Sequence, residues 1–174
     1  LDFIAEQKTK HGKMPKAPLA VKTIVTTELA RKITDKYGIE LIDVLTGFKY
    51  IGEQIGELDA KNETDRYIFG FEESCGYLKG TYARDKDAIV ASMLVCELAA
   101  SMKSQGKNIL DALDEVYAKY GYYLAYVQSI ELTGADAMEK AAKMMADLRA
   151  DVPAAIGGAA VTGVRDYKTS VAKN

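Results

Sequence analysis

Cysteine, histidine and tryptophan are scarce or missing in this sequence, and their scarcity argues against several kinds of chemistry. Of the 174 residues, two are cysteine (Cys75 and Cys96), one is histidine (His11) and none is tryptophan. Two cysteines, one in a polar loop and one in a helical pattern, do not make a disulfide framework and favour a reducing compartment, so we expect a cytoplasmic protein. Because His11 lies far from Cys75 along the chain, a thiol nucleophile with a histidine base is disfavoured.

The sequence also lacks long hydrophobic runs, a strong excess of one charge and phosphate-binding glycine motifs. No apolar run approaches the roughly 20 residues that span a bilayer, and the N-terminal stretch shows no signal peptide. The formal net charge is -2 without any basic run, so neither a nucleic acid nor a membrane surface is an expected partner. Neither glycine pattern of nucleotide-binding loops occurs, so a nucleotide site is not predicted.

What the sequence does contain is an alternation of helical and strand patterns that is typical of α/β proteins. Up to residue 120 the predicted order is helix, strand, helix, strand, helix, strand, helix, helix, which indicates a mostly parallel sheet with helices on both faces. The predicted strands are 20–25, 39–45 and 67–71, and the predicted helices are 1–10, 27–37, 48–57, 88–105 and 108–120.

Two of these helices have features that predict their surroundings and their first residues. The helix over 88–105 is apolar on more than one side, so we predict that it is buried on much of its circumference. Asp87 is its predicted N-cap, because a carboxylate there accepts hydrogen bonds from free backbone N–H groups. Asn108 is the predicted N-cap of the next helix, with Asp111 in its first turn.

The character of the sequence changes after Gly121, and we divide the chain there into two predicted domains. Residues 1–121 form the α/β domain, and residues 122–174 form an incomplete α+β piece. About 50 residues are too few to build a dependable core of their own. Since the chain begins with Leu1 rather than Met, we expect either an excised piece of a longer protein or a processed chain.

The C-terminal piece is predicted to contain a strand, a helix and a further strand. A long aromatic strand is predicted over 122–132, followed by a helix that begins with a capping box of Thr133 and Asp136 and ends near Asp151. The last strand is predicted within residues 159–167. This order resembles the opening of a second folding unit rather than a complete one.

The most polar stretch within the α/β part lies between a buried strand and a long helix, at residues 70–87. It holds two adjacent carboxylates and a hydroxyl at 72–74. A second polar loop follows another strand at residues 46–47. Ligands of open α/β sheets bind just beyond the carboxyl ends of the strands. We therefore expect both strand-to-helix loops to project from the same edge of the sheet as parts of one site.

The residue types of the first loop suit a phosphorylated sugar. The oxygens of Glu72, Glu73 and Ser74 can accept hydrogen bonds from sugar hydroxyls, while Arg84 and Lys86 can supply positive charge to a phosphate. The same charged residues are also compatible with ordinary ion pairs on a solvated surface. The residues by themselves leave both interpretations open.

Two further interpretations of nearby residues carry less weight. Asp85 and Asp87 could form a metal-binding pair, but a divalent cation needs more oxygen ligands and disfavours the lysine between them. The tyrosines at 120, 122, 123 and 126 could form a stacking platform, although packing in a core or a strand is the simpler interpretation.

Three motifs occur in order along the first 120 residues. They are Val-Leu-Thr-Gly-Phe-Lys-Tyr-Ile-Gly at 44–52, Phe-Gly-Phe-Glu-Glu-Ser-Cys-Gly-Tyr at 69–77 and Arg-Asp-Lys-Asp-Ala at 84–88. Together they resemble the third domain of the phosphoglucomutase/phosphomannomutase family, the α-D-phosphohexomutases. The resemblance covers residues 1 to about 120, and residues 122–167 resemble the start of the family's fourth domain.

The resemblance implies sugar recognition by the second motif. Glu72 and Ser74 match the loop that holds the 3- and 4-hydroxyls of the hexose, and Glu73 completes the Glu-Glu-Ser form of phosphoglucomutase-like members. A loop that recognises these two hydroxyls does not distinguish glucose from mannose, which differ at C2, so the hexose stays open. Related members that act on pentose phosphates or make glucose bisphosphate have similar loops, so the resemblance leaves these open as well.

The other two motifs are implied to complete the substrate site. Thr46 and Gly47 match a second substrate-contacting loop of the family. Arg84 and Lys86 match basic residues that face the active-site cleft, and Lys86 is the better candidate for contact with the substrate.

The resemblance also implies a reaction and shows which parts of the machinery are missing. The family interconverts hexose 1-phosphate and hexose 6-phosphate through a phosphoserine and a hexose 1,6-bisphosphate intermediate, with Mg²⁺. The Ser-His-Asn-Pro and Asp-x-Asp-x-Asp motifs are absent, and the Arg-x-Ser-Gly-Thr loop would lie beyond Asn174. We therefore expect no catalytic residue and no metal ligand in this chain.

The expected partners are a hexose phosphate and the other domains of a parent mutase, and the chain alone is expected to be inactive. The competing hypothesis is a non-catalytic module that binds sugar phosphates.

Overall fold

The computed structural model describes residues 1–126, 129 and 131–169, together with the backbone of residues 171–173. The chain forms two compact units, Leu1–Tyr126 and Val127–Asn174. None of the helices in this described part of the chain has both the length and the apolar character needed to cross a membrane.

The first unit is built on a four-stranded, mostly parallel sheet. Its strands are β1 (Leu19–Thr23), β2 (Glu40–Val44), β3 (Tyr67–Glu72) and β4 (Gly76–Leu78), in the spatial order β2-β1-β3-β4. β1 pairs in parallel with both β2 and β3, whereas β4 is antiparallel to β3. The predicted α/β class is therefore confirmed. β4 was not predicted, because three residues are too few to show a strand period.

Six α-helices accompany the strands in the part of the chain that the structure describes, and their positions agree closely with the sequence pattern. They are α1 (Asp2–Lys10), α2 (Leu29–Tyr37), α3 (Phe48–Ala60), α4 (Ala88–Ser104), α5 (Ile109–Tyr120) and α6 (Ala137–Ala150). A short 3₁₀ helix at Thr64–Arg66 leads into β3. The first five helices belong to the first unit, and α6 belongs to the second.

The two faces of the sheet are buried in two separate hydrophobic clusters. Side chains of successive strand residues point to opposite faces, so Leu19 and Val21 lie on one face and Ala20 on the other. The cluster on the α3 side contains Leu19, Val21, Phe48, Ile51, Ile55, Leu58, Tyr67 and Leu78. The cluster on the α1 side contains Ile4, Ala5, Ala20, Ile39, Ile68 and Phe69. Helices thus cover both faces, as predicted.

The predicted N-caps of α4 and α5 are both confirmed. The Asp87 carboxylate accepts hydrogen bonds from the backbone N–H groups of Ile89 and Val90, at 2.7 and 3.1 Å. Asn108 and Asp111 form a reciprocal capping box at the start of α5. These contacts depend only on residues two or three positions apart, which is why a local pattern identifies them.

The predicted burial of the long apolar helix is wrong for this chain. Met102 is the one buried residue that the structure records in α4, while Ile89 is 75% exposed and Met93 59% exposed. The helix packs against β4 and α5. Its remaining sides lie at the surface of the unit, because no further layer of Leu1–Tyr126 covers them.

The predicted strand over 122–132 is also wrong where the structure describes it. Residues 122–126, 129, 131 and 132 are in no strand, and positions 127, 128 and 130 lie outside the described residues. Tyr122, Leu124 and Tyr126 are between 71% and 80% exposed. Alternation and aromatic content favour a strand only where a neighbouring strand pairs with it, and none does along the described residues of this segment.

The second unit otherwise contains the predicted helix followed by two small hairpins. α6 begins three positions later than the predicted capping box implied, because Asp136 rather than Thr133 is its N-cap residue. Asp136 makes no side-chain capping bond, so the predicted capping box is wrong. The hairpins are β5 (Ala155–Ile156) with β6 (Ala159–Ala160), and β7 (Val164–Asp166) with β8 (Val171–Lys173). An ion pair of 2.8 Å joins Arg149 of α6 to Asp166 of β7.

Candidate functional site

The site lies at the edge of the sheet where the three parallel strands end. Residues 46–47 follow β2, residues 73–75 follow β3, and Thr26 lies just beyond β1. Since parallel strands point the same way, these segments meet at one edge, as predicted. The segment after β3 differs from the prediction: it is the turn of the β3–β4 hairpin, and the chain reaches α4 only after β4.

Glu72 is the last residue of β3, and its side chain is held inside this edge. It is 5% exposed and pairs across the hairpin with Gly76. One of its carboxylate oxygens, Oε1, lies 3.9 Å from Nζ of Lys86. Nζ of Lys86 also lies 5.3 Å from the ring centre of Phe48, the first residue of α3. A buried acceptor and a half-exposed cation therefore stand side by side, as the sugar-phosphate interpretation requires.

The absence of a side chain at Gly76 makes room for Glu72. A Cβ atom at position 76 would lie 2.6 Å from Cγ and 2.7 Å from Oε1 of Glu72, and 2.9 Å from the ring of Phe48. All three distances are shorter than real Cβ contacts. Glycine is therefore needed here for a close approach of two side chains rather than for a turn.

We expect Gly76→Ala to expel the Glu72 carboxylate from its place. Overpacking of this kind costs roughly 1–3 kcal/mol, and part of that cost is avoided if Glu72 swings outward. The measurement is a pair of NMR spectra that follow the Glu72 side chain and the amide of Ser74, with urea unfolding alongside. Gly56→Ala is the control, because a Cβ there meets nothing within 4 Å. Unchanged Glu72 shifts in Gly76→Ala would contradict the assignment.

Glu73 points to a different neighbour from Glu72. Its Oε2 atom accepts hydrogen bonds from the hydroxyls of Thr23, at 3.0 Å, and Thr26, at 2.5 Å. Partial burial alone would raise the pKa of Glu73. Hydrogen bonds from Thr26, from its own backbone and from Thr23, with the charge of Lys22, outweigh that effect and lower the pKa below the ordinary value. The carboxylate is thus ionised and already bonded within the protein.

Arg84 is turned toward α3. Its guanidinium group donates to the Asp59 carboxylate at 3.0 Å and to the carbonyl oxygen of Thr81 at 2.7 Å. Asp59 lies near the end of α3, one residue before Ala60. Of the two predicted cations, Lys86 is therefore the one that the structure places beside Glu72.

The remaining predicted residues lie on exposed loops around the same edge. Ser74 is exposed in the hairpin turn, next to Cys75, whose backbone has a positive φ of 57°. Thr46 is exposed after β2, and Gly47 immediately precedes α3 with a φ of 121°, a conformation that favours glycine. The Gly47 loop leads directly into buried Phe48, so it is joined to Glu72 and Lys86 through that ring.

The end of β1 contributes residues that sequence reasoning missed. Lys22 is fully buried, and its Nζ lies 3.0 Å from Glu28 and 3.1 Å from Asp43. Thr23 and Thr26 are buried and hold Glu73 as described above. A signal for them was present, since a Lys-Thr pair closes an otherwise apolar strand. Ligands of open α/β sheets bind beyond the carboxyl ends of the strands, and this applies to the loop after β1 as it does to the loops after β2 and β3.

Asp85 and Asp87, the alternative metal-binding pair, each have a different partner within the protein. Asp87 caps α4 and accepts a hydrogen bond from the Tyr82 hydroxyl, while Asp85 pairs with Lys86. Among the residues that the structure describes, no three His, Cys, Asp or Glu side chains are grouped as metal ligands.

A separate groove of about 530 Å³ lies between α1, α4 and α5. Its apolar lining includes Phe3, Met102 and Val116. It is formed by helices alone, away from the carboxyl ends of the parallel strands and from Glu72. Charged groups also line this groove, where Lys119 pairs with Asp2 at 3.3 Å and with Glu6 at 3.8 Å. None of the residues predicted for the site lines it.

A mostly parallel sheet with a carboxylate and a lysine at its carboxyl edge is typical of α/β proteins that bind a ligand at that edge. Comparison with known proteins gives the family. Residues 2–120 match the family model described as phosphoglucomutase/phosphomannomutase, alpha/beta/alpha domain III. The chain therefore belongs to the phosphoglucomutase/phosphomannomutase family. Within that family, the matched residues correspond to domain III.

Individual relatives agree with this assignment. The chain is 32% identical to a phosphoglucomutase of Staphylococcus haemolyticus (strain JCSC1435), over 92% of this chain and 29% of the relative. It is 35% identical to a phosphoglucomutase of Staphylococcus aureus (strain bovine RF122 / ET3-1), over 87% of this chain and 27% of the relative.

Among solved structures, the chain resembles one described as a putative phosphomannomutase from Thermus thermophilus. The TM-score is 0.53 at 26% identity, covering 70% of this chain and 25% of that one. The chain thus spans less than a third of the length of the relatives that it matches.

Proposed function

We propose that this chain supplies the sugar-recognition part of a phosphohexomutase that interconverts hexose 1-phosphate and hexose 6-phosphate. The observation that carries the proposal is the buried Glu72 carboxylate beside Lys86. Both lie at the carboxyl edge of the sheet in domain III of the family. A carboxylate suits the hydroxyls of a sugar, and a lysine suits its phosphate. Ser74 lies in the same turn, and the Thr46–Gly47 loop joins the site through Phe48.

The proposed arrangement suits a substrate that must be held in two orientations. Moving a phosphoryl group between C1 and C6 through a hexose 1,6-bisphosphate requires the intermediate to turn over between two transfers. Glu72 and Ser74 would hold hydroxyls of the ring, which face the same recognition loop in both orientations. Lys86 would then meet whichever phosphate lies on its side, since a lysine acts as a point charge without strict geometry.

The remaining parts of the proposal concern the parent protein. The phosphoserine, the Mg²⁺ ligands and the phosphate clamp would come from other domains, and residues 122–174 would begin the fourth domain. The two free thiols, Cys75 and Cys96, are compatible with a cytoplasmic protein. This chain alone would have no mutase activity. Conversion of glucose 1-phosphate by the purified chain would overturn that part of the proposal.

Titration with glucose 1-phosphate tests the site directly. We expect amide shifts at Glu72, Ser74 and Lys86 of the ¹⁵N-labelled chain, with a dissociation constant on the order of millimolar or weaker. Glu72→Gln should weaken this binding by about tenfold, because hydrogen bonds to a charged group contribute roughly 1.5–3 kcal/mol.

Glu53→Gln, on the exposed side of α3, is the matched control. It removes the same charge outside the site and should leave binding unchanged. Equal binding by the wild-type chain and Glu72→Gln, or ligand shifts confined to other surfaces, would refute the proposed site.

A further inference from the structure

The adjacent glutamates Glu72 and Glu73 differ in the side chains that they contact. Oε1 of Glu72 lies 3.9 Å from Nζ of Lys86, while Oε2 of Glu73 is bound to two threonine hydroxyls at the end of β1. Thr23 and Thr26 are 0% and 8% exposed. The bond partners of Glu73 therefore belong to the interior of the domain, about 50 residues earlier in the chain.

Thr23, Thr26 and Glu73 share two hydroxyl hydrogens, and the distances between their oxygens show which hydrogen bond is the shortest. The two threonine hydroxyls also lie 2.8 Å from each other, so three short oxygen–oxygen distances share two hydroxyl hydrogens. The shortest of the three joins Thr26 to Glu73, which assigns the Thr26 hydrogen to the carboxylate. The Thr23 hydrogen then lies between the carboxylate and Thr26. These hydrogen bonds from Thr26 and Thr23 contribute to the lowered pKa of Glu73 and favour its ionised form.

The threonines are themselves fixed by a buried cation. Nζ of Lys22 donates to the carbonyl oxygens of Thr23, at 3.3 Å, and Thr26, at 3.1 Å. Its charge is balanced by Glu28 and Asp43. A fully buried lysine with this many oxygen partners has little freedom, so the segment that receives Glu73 is rigid.

We infer that Glu73 is a positioning residue, which ties the sugar-recognition turn to the end of β1 through Thr26 and Thr23 and so holds Glu72 and Ser74 in place for the ligand. The inference rests on the proposed function for its ligand, and it replaces direct sugar contact as the role of Glu73. Turn residues 73–75 are exposed, and Cys75 has a positive φ. The side-chain link from Glu73 therefore adds a tether to the β3–β4 pairing that flanks the turn. Fixing a binding loop in advance lowers the entropy lost on binding.

The test compares four variants of the whole chain: Thr26→Val, Thr26→Ser, Glu73→Ala and the double variant Thr26→Val/Glu73→Ala. The first readout needs no ligand and is the ¹⁵N order parameter of Ser74 and Cys75. We expect it to fall toward the flexible range, below about 0.6, in Thr26→Val and in Glu73→Ala. Thr26→Ser keeps the hydroxyl and should restore the wild-type value.

The second readout is affinity for glucose 1-phosphate by NMR titration. Glu73→Ala should weaken binding about fivefold, and Thr26→Val should weaken it by up to the same factor, because the bond from Thr23 remains in that variant. The double variant should bind no more weakly than Glu73→Ala, because Thr26 acts only through Glu73. Thr34→Val is the control. Thr34 is a buried threonine of α2 whose hydroxyl bonds locally, to the carbonyl oxygen of Arg31.

The outcomes separate this inference from the proposed function. If Glu73→Ala weakens binding while Thr26→Val leaves affinity and order parameters unchanged, Glu73 contacts the ligand itself and the inference is wrong. Unchanged order parameters in both single variants overturn it as well. If the wild-type chain shows no response to glucose 1-phosphate, the proposed function fails, and the order parameters still decide whether Glu73 holds the turn.

Discussion

Gly70→Ala should be the most destabilising of the substitutions considered for this chain, with a loss of about 3 kcal/mol in the free energy of unfolding. Gly70 lies within β3, where an added Cβ would be 2.2 Å from the Tyr67 hydroxyl oxygen and 2.6 Å from Cγ2 of Ile51. Both neighbours are buried and cannot move freely. Overpacking contributes roughly 1–3 kcal/mol, and loss of the Tyr67 hydrogen bond to the Leu78 carbonyl adds about 1 kcal/mol.

The cause of this loss can be isolated with a second substitution. Tyr67→Phe removes the hydroxyl that collides with the new methyl group, at a cost of about 1 kcal/mol for its hydrogen bond to Leu78. The double variant Tyr67→Phe/Gly70→Ala should therefore be more stable than the sum of the two single losses predicts. Urea unfolding of all four proteins gives the coupling. Strict additivity would show that the collision with Tyr67 does not cause the instability.

Gly52→Ala should have the second largest effect, and it should reach the ligand site. A Cβ at this position of α3 would be 2.3 Å from the backbone carbonyl oxygen of Arg84. A backbone atom cannot rotate away, so the segment over 81–87 must move as a whole. That segment carries Lys86, which lies 3.9 Å from Glu72. We expect a loss of about 1–2 kcal/mol together with amide shifts at Lys86 and Glu72.

Gly56 of the same helix provides the control for Gly52. It lies one turn further along α3, and a Cβ there meets nothing within 4 Å. Gly56→Ala should stabilise the chain by up to about 1 kcal/mol through helix propensity alone. The two alanine variants should therefore change stability in opposite directions and differ by about 2–3 kcal/mol. If both stabilise the protein equally, the close packing between α3 and the Arg84 segment is not as described.

Much of the site could be located from the sequence because its position depends on the order of strands. Apolar runs separated by helical patterns indicate parallel strands, and parallel strands place their following loops at one edge. The order of the strands therefore predicts that Glu72 and the Thr46–Gly47 loop lie at the same edge of the sheet. The helix cap at Asp87 was predictable for a simpler reason, since it involves residues two and three positions away.

The directions of the charged side chains were not predictable in the same way. Arg84 and Lys86 are two residues apart and look equivalent in the sequence, but one reaches Asp59 and the other reaches Glu72. Glu72 and Glu73 are adjacent and chemically identical, yet their neighbours belong to different elements. Which partner each finds depends on how α3 and β1 pack against the hairpin, and local periodicity carries no information about that.

The sequence by itself determined the five helices and the three parallel strands of residues 1–120, and that a polar loop follows β3. These features follow from local periodicity and from the chemistry of turns and caps. The tertiary structure alone decided that the loop is a hairpin, that α4 leaves apolar side chains exposed, and that Glu73 is held by Thr23 and Thr26. Those features depend on contacts between residues far apart in the chain, whose geometry exists only once the elements have packed.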